Sequence, residues 1–203
     1  MVHATQTTVP KTEHVLGMQV SGSGVDFHLA IQVPTLIGQN VERCLLDAFR
    51  GGDDGDDDDG AHLPSPLSGN GKWNDLFWVV HPGGRQILDN IDKVLQLEPE
   101  KLGASRHVLR EYGNMSGATI VFVLDELRRR RSLLPEWGAM LAFGPGVTIE
   151  TMLYARVYEG GGQIILESQK MKACKEGLAL ALERTTCPIQ VELDCSEAVV
   201  MLN

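Results

Sequence analysis

What this chain has little of narrows its chemistry first. It has four cysteines in 203 residues, Cys44, Cys174, Cys187 and Cys195, with neither the close pairing of a zinc site nor the density of a disulfide framework. Reduced thiols and a cytoplasmic location are therefore expected. Aromatic residues make up only 5% of the sequence, and no apolar run reaches the roughly 18 residues that a membrane span needs. Residues 1–14, MVHATQTTVPKTEH, hold no apolar stretch of the signal-peptide kind. Positive charge is scarce: 18 Lys and Arg against 27 Asp and Glu leave a formal net charge of -9. Such a surface suits neither nucleic acid nor an anionic membrane, and no partner of either kind is expected.

What is present, 43% hydrophobic and 22% charged residues, reads as a soluble globular chain with room for one sizeable core. Residues 51–71 break the pattern. Asp53, Asp54, Asp56, Asp57, Asp58 and Asp59 stand among glycines and are followed by Pro64, Pro66 and serines. Such a block repels itself and buries nothing, so it is expected to be a disordered insertion. A calcium loop of the EF-hand kind needs glycine at its sixth position and glutamate at its twelfth, and no register supplies both. No metal site is expected.

Around this insertion the elements are legible. Residues 15–21 and 25–33 are predicted as strands joined at Gly22, Ser23 and Gly24. Pro34 then opens a helix in which Leu36, Ile37, Val41, Cys44, Leu45, Ala48 and Phe49 recur at helical spacing. Further helices are predicted over residues 84–97, 99–112 and 116–131. The last ends in four consecutive arginines, which complement a helix C-terminus and read as a solvated end rather than a nucleic-acid patch. Residues 137–143 and 147–157 form an expected antiparallel pair about Gly144, Pro145 and Gly146.

Candidate chemistry gathers at the breaks. The apolar run 76–80 (LFWVV) reads as a buried strand that ends in His81, and Pro82-Gly83-Gly84 turns the chain into a helix. Strand ends are where α/β folds place their sites. The break Gly113-Asn114-Met115-Ser116-Gly117 brings a carboxamide to another helix N-terminus, where free N–H groups converge.

Residues 77–88 (FWVVHPGGRQIL), 105–117 (SRHVLREYGNMSG) and 137–150 (WGAMLAFGPGVTIE), with 24–37 (GVDFHLAIQVPTLI) upstream, resemble the C-terminal half of chalcone synthase-like (type III) polyketide synthases. The resemblance covers residues 3–157. It implies an α/β, thiolase-like half, with a mixed sheet and covering helices, belonging to an acyltransferase of polyketide, flavonoid or curcuminoid-type metabolism. Malonyl-CoA and an acyl-CoA starter are the implied substrates, with no resident cofactor, and the full-length family is homodimeric. Matched motif by motif, His81 and Asn114 are the implied catalytic pair, two N–H donors aimed at a thioester oxygen. Phe27 is implied to narrow the substrate passage, Met18 to limit product length, and Ser116 to shape the cavity; for these three, ordinary packing is the competing reading. Gly83 and Gly84 are implied to lie near the pantetheine path, and Phe143, Gly144, Pro145 and Gly146 to line the cavity. Arg85 and Gln86 replace small residues of the family pattern, which puts the coenzyme A contact there in doubt.

The family's nucleophilic cysteine belongs to its N-terminal half, and Cys44 falls on an apolar helix stripe where a free thiol behaves as a small hydrophobe. The resemblance thus implies a domain that keeps its site residues yet is inactive alone. The alternative is a non-catalytic fragment or binding module from a gene fusion.

From residue 158 the pattern changes. Residues 162–166 read as a strand, 172–185 as an amphipathic helix, and 188–203 as a strand followed by a helix. This stretch resembles a ribonuclease H-like β-α-β-α fragment of retroelement-derived genes. Asp194 matches one metal ligand, but Lys170 stands where a glutamate belongs, Glu167 is out of register, and the first aspartate has no counterpart. Such nucleases hold two metal ions on several carboxylates, so no cleavage is expected.

Half of a two-halved fold leaves apolar faces uncovered. Expressed alone, the chain is expected to be poorly soluble or to melt without a sharp transition; a cooperative melt of a soluble monomer by calorimetry would contradict this.

Overall fold

The computed structural model describes residues 1–22, 24–50, 73–130, 134–155, 157–159, 163–165, 189–193 and 198–202. Its centre is a mixed four-stranded sheet built from β1 (His3–Thr8), β4 (Phe77–Val80), β5 (Trp137–Gly144) and β6 (Thr148–Ala155), in the order β1-β6-β5-β4. Strand β4 runs parallel to β5, while β6 is antiparallel to both β5 and β1. A separate hairpin pairs β2 (Leu16–Ser21) with β3 (Gly24–Leu29). Four helices complete this part: α1 (Val33–Arg50), α2 (Arg85–Leu95), α3 (Gly103–Tyr112) and α4 (Ala118–Arg129).

The two-residue period of a strand divides the core into two layers. Trp78 and Val80 of β4, with Ala139, Leu141, Ile149 and Leu153, pack against Ile37, Val41, Leu45, Leu88 and Ile91 of α1 and α2. Phe77 and Val79, with Met140 and Tyr154, pack against Ala104, Val108, Val123 and Leu127 of α3 and α4. This explains why residues 76–80 are apolar without alternation: both faces of β4 are covered.

Strand β4 forms one edge of this sheet, and Ser105 of α3 with Lys101 just before that helix supplies partners on its outer side. The Val80 N–H donates to the fully buried Ser105 hydroxyl at 3.2 Å, and the Lys101 ammonium bonds to the Asn74 and Leu76 carbonyls. These bonds occupy part of an edge that would otherwise be open to further strand pairing.

Several expected boundaries move. The first long helix begins at Val33 rather than Pro34, which leaves Pro34 in the first turn, where its missing N–H costs nothing. Strand β3 ends at Leu29, short of the expected residue 33. Strand β1 was not anticipated at all, although its threonines and alternating half-buried and exposed residues carry the signal. The helix expected over 99–112 starts only at Gly103. Beyond residue 156, β7 (Val157–Glu159) pairs with β8 (Gln163–Ile165), and β9 (Ile189–Leu193) pairs antiparallel with β10 (Ala198–Leu202). The last of these corrects the helix expected after the 188–193 strand: Val199 and Val200 are β-branched and suit a ladder. The expected helix over 172–185 and the insertion over 51–71 lie outside the described residues.

Gly138 sits opposite Phe77 in the β4–β5 register, and a Cβ there would overlap the Phe77 ring, itself 2% exposed and unable to swing away. Gly138→Ala should therefore destabilise the domain by about 1–3 kcal/mol. Denaturant unfolding of the variant checks this, and unchanged stability would contradict the packing described.

Candidate active site

The apolar strand β4 delivers His81. Its N–H continues the ladder, donating to the Leu141 carbonyl at 2.8 Å, so the imidazole leaves the sheet at a fixed place. The Gly83 N–H donates back to the His81 carbonyl at 3.0 Å and closes the turn. Gly83 also lies against the ring: a Cβ there would stand 3.5 Å from both Cδ2 and Nε2 of His81 and 3.1 Å from Ile87 Cδ1. The Phe143 ring meets the imidazole edge-on, centroids 6.4 Å apart.

Asn114 arrives from the end of α3. Helix α3 ends at Gly113, whose φ of 74° and ψ of -163° are open only to glycine at low cost. That turn aims the next side chain back at the 82–84 turn. Asn114 Nδ2 donates to the Gly83 carbonyl at 3.1 Å, and Oδ1 accepts from the Ser116 N–H at 2.9 Å. These two bonds fix which way the amide faces. One Nδ2 hydrogen is committed to Gly83.

His81 and Asn114 line one cavity of about 340 Å³, with Leu16, Gly17, Met18, Phe27, His28, Leu29, Ser116, Phe143, Gly144 and Pro145. The hairpin forms its other wall: Met18 stands directly opposite Phe27 in the β2–β3 register. Backbone bonds from Gly146 N–H to the Leu16 carbonyl, 2.7 Å, and from Val147 N–H to the Thr12 hydroxyl, 2.9 Å, tie the hairpin base to the β5–β6 turn.

Met18, Phe27, Ser116, Phe143, Gly144 and Pro145 thus stand on the cavity wall. Met18 and Phe27 are 47% and 68% exposed, so core packing is not what they do. Gly83 contributes through its contacts with His81 and Asn114 rather than as wall, Gly84 has open space beside it, and Gly146 serves the hairpin bond. Leu16, Gly17, His28 and Leu29 were not anticipated; the hairpin register, which places them beside or opposite Met18 and Phe27, was the available signal. Cys44 is fully buried on α1, where burial pushes its thiol pKa up, and it is not among the lining residues. The four-arginine run is a solvated end as far as it is described: Arg128 and Arg129 pair with Asp125, and Arg130 with Glu126. Among the described residues no cluster of His, Cys, Asp or Glu could hold a metal ion, and no helix is long and apolar enough to cross a membrane.

Residues 1–158 match the C-terminal domain of chalcone and stilbene synthases, and the chain belongs to that family. Among its relatives, the bisdemethoxycurcumin synthase of Oryza sativa subsp. japonica is 51% identical over 162 residues, which is 75% of this chain and 37% of that protein. The chain thus spans little more than a third of the length of this curated relative.

Burial lowers the His81 pKa from 6.5 to about 4, so the ring is neutral at physiological pH and carries one N–H. The stability linked to it is intact above pH 6.5, where neither folded nor unfolded ring is charged. Between pH 6.5 and 4 the unfolded chain takes up a proton that the folded chain refuses. Folding should lose about 3 kcal/mol across that window. Titration of the His81 imidazole by NMR checks the cause, and a midpoint near 6.5 would contradict it.

Proposed function

We propose that residues 1–157 are the part of a type III polyketide synthase that polarises thioester carbonyls, with His81 and Asn114 as its two donors. The single observation that carries this reading is their convergence on one open cavity through Gly83. In the proposed reaction malonyl-CoA loses carbon dioxide: the bond to the carboxylate breaks, and its electron pair becomes an enolate. That enolate attacks an acyl group held on a cysteine sulfur, a carbon–carbon bond forms, and the thiolate leaves. Negative charge develops on a thioester oxygen in both steps. Fixed N–H donors stabilise that charge without reorganising, each by about 2.7–4 kcal/mol.

A neutral His81 suits the donor role directly. Its second role in the family, pairing with a cysteine thiolate, requires that anion nearby, which would favour the protonated ring and raise its pKa. Cys44 cannot supply it from the α1 core. The thiol and most of the coenzyme A contacts are therefore assigned to a segment beyond the described domain, and this chain alone is proposed to be silent. Coenzyme A thioesters are its proposed substrates, no cofactor is involved, the homodimer is assigned to the full-length family and not to this chain, and the cytoplasm is the proposed compartment. Residues 158–203 are proposed as a separate ribonuclease H-like fragment without a complete metal set; Lys170 in place of a carboxylate supports the loss of cleavage.

The test mixes this chain with a separately expressed N-terminal half of a family member that carries the cysteine. Consumption of malonyl-CoA should occur only in the mixture and fall about 100-fold or more in His81→Ala or Asn114→Ala. Turnover by the chain alone would overturn its silence, and equal turnover with the variants would overturn the two assignments. Magnesium-dependent cutting of an RNA–DNA hybrid would overturn the reading of the C-terminal fragment.

A further inference from the structure

Asn114 does not hold its own orientation. Its Oδ1 depends on the N–H of Ser116, and Ser116 has a φ of 58°, a left-handed conformation that L side chains other than Asn and Asp adopt at a cost. A strained residue beside a site persists only where surrounding bonds hold it. Here the bonds come from one hydroxyl. Thr119, fully buried in the first turn of α4, accepts from the Met115 N–H at 2.8 Å and donates to the Ser116 carbonyl at 2.8 Å. The Thr119 N–H adds a second bond to that same carbonyl, at 3.1 Å.

The geometry points to Thr119 as the positioning residue for the Asn114 donor: its hydroxyl clamps residues 115 and 116 from both sides and so keeps the Asn114 carboxamide facing the cavity. Thr119 is not among the lining residues, so it touches no ligand and acts wholly through the loop. Helix α4 has no side-chain cap of its own at Gly117, so Thr119 is also what joins the loop to the helix. Serine keeps the donor and acceptor. Valine keeps the shape and loses both, leaving the Met115 N–H without its partner.

The inference rests on Asn114 being a thioester donor, and the experiment separates the two. In 15N-labelled chain, the Asn114 side-chain amide protons are followed by NMR, with the buried Trp78 indole N–H, bonded to the Trp73 carbonyl at 3.0 Å, reporting the fold. Thr119→Val should move the Asn114 resonances toward those of a free amide and speed their solvent exchange about tenfold. The Trp78 signal should stay in place, and Thr119→Ser should restore the wild-type spectrum. If the valine variant loses the Trp78 signal, Thr119→Ala, which removes bulk as well as the hydroxyl, should show the same Asn114 shift. An Asn114 amide unchanged in a folded Val or Ala variant overturns the proposal. Acetyl-CoA is then added to the wild-type chain mixed with the N-terminal half of a family member: a response of the Asn114 amide supports the donor role, whereas a clamped amide that ignores the thioester upholds the positioning and removes the role.

Discussion

The parallel pairing of β4 with β5 is the constraint on which the site depends. It is carried one residue past the strand, through the His81 N–H to the Leu141 carbonyl, and the outer edge is closed at Val80 by the Ser105 hydroxyl. With helices over both faces, β4 cannot slip by one residue without exchanging Trp78 and Val80 for Phe77 and Val79 between two filled layers. The imidazole is therefore placed by packing far larger than itself. That placement comes with desolvation, which holds the ring neutral.

The carboxamide is supported differently. Where His81 is buried, Asn114 is exposed and held by three local devices: a glycine with left-handed φ before it, an N–H from a strained serine after it, and the Gly83 carbonyl across the gap. Gly83 is common to both halves of the arrangement, touching the ring of one residue and accepting from the amide of the other. The two side chains thus share a reference point on the 82–84 turn. The hairpin wall opposite, with Met18, Phe27, His28 and Leu29 exposed, leaves the cavity open toward solvent. Apolar side chains on an open wall are what a site completed by further protein surface would show.

Much of this was legible in the sequence because the signals were local. An unbroken apolar run closed by Pro-Gly-Gly marked β4 and its terminal histidine, and the stripe from Ile37 to Phe49 marked α1. The Gly144-Pro145-Gly146 turn marked the β5–β6 pair. Strand β1 was not found because its residues, His3 to Thr8, are mostly polar, with only every second one half-buried, and gain their place by pairing with β6, more than a hundred positions away in the chain. The α3 boundary moved because helical propensity does not reveal that Leu102 turns into the core at the helix start. Of the cavity wall, the motif positions are marked by their glycines and turns, whereas Leu16, Gly17, His28 and Leu29 follow only from hairpin register. Thr119 was invisible in the sequence, since a threonine within a helix becomes informative only when its two bonding partners are known.

A neutral imidazole and an oriented carboxamide meet at Gly83. The most direct measurement is a set of nuclear Overhauser contacts from the Gly83 α-protons in the folded chain. The account predicts cross-peaks from them to the His81 Cδ2 proton and to the Asn114 side-chain amide. Contacts to only one of the two side chains, in a spectrum that retains the buried core signals, would contradict it.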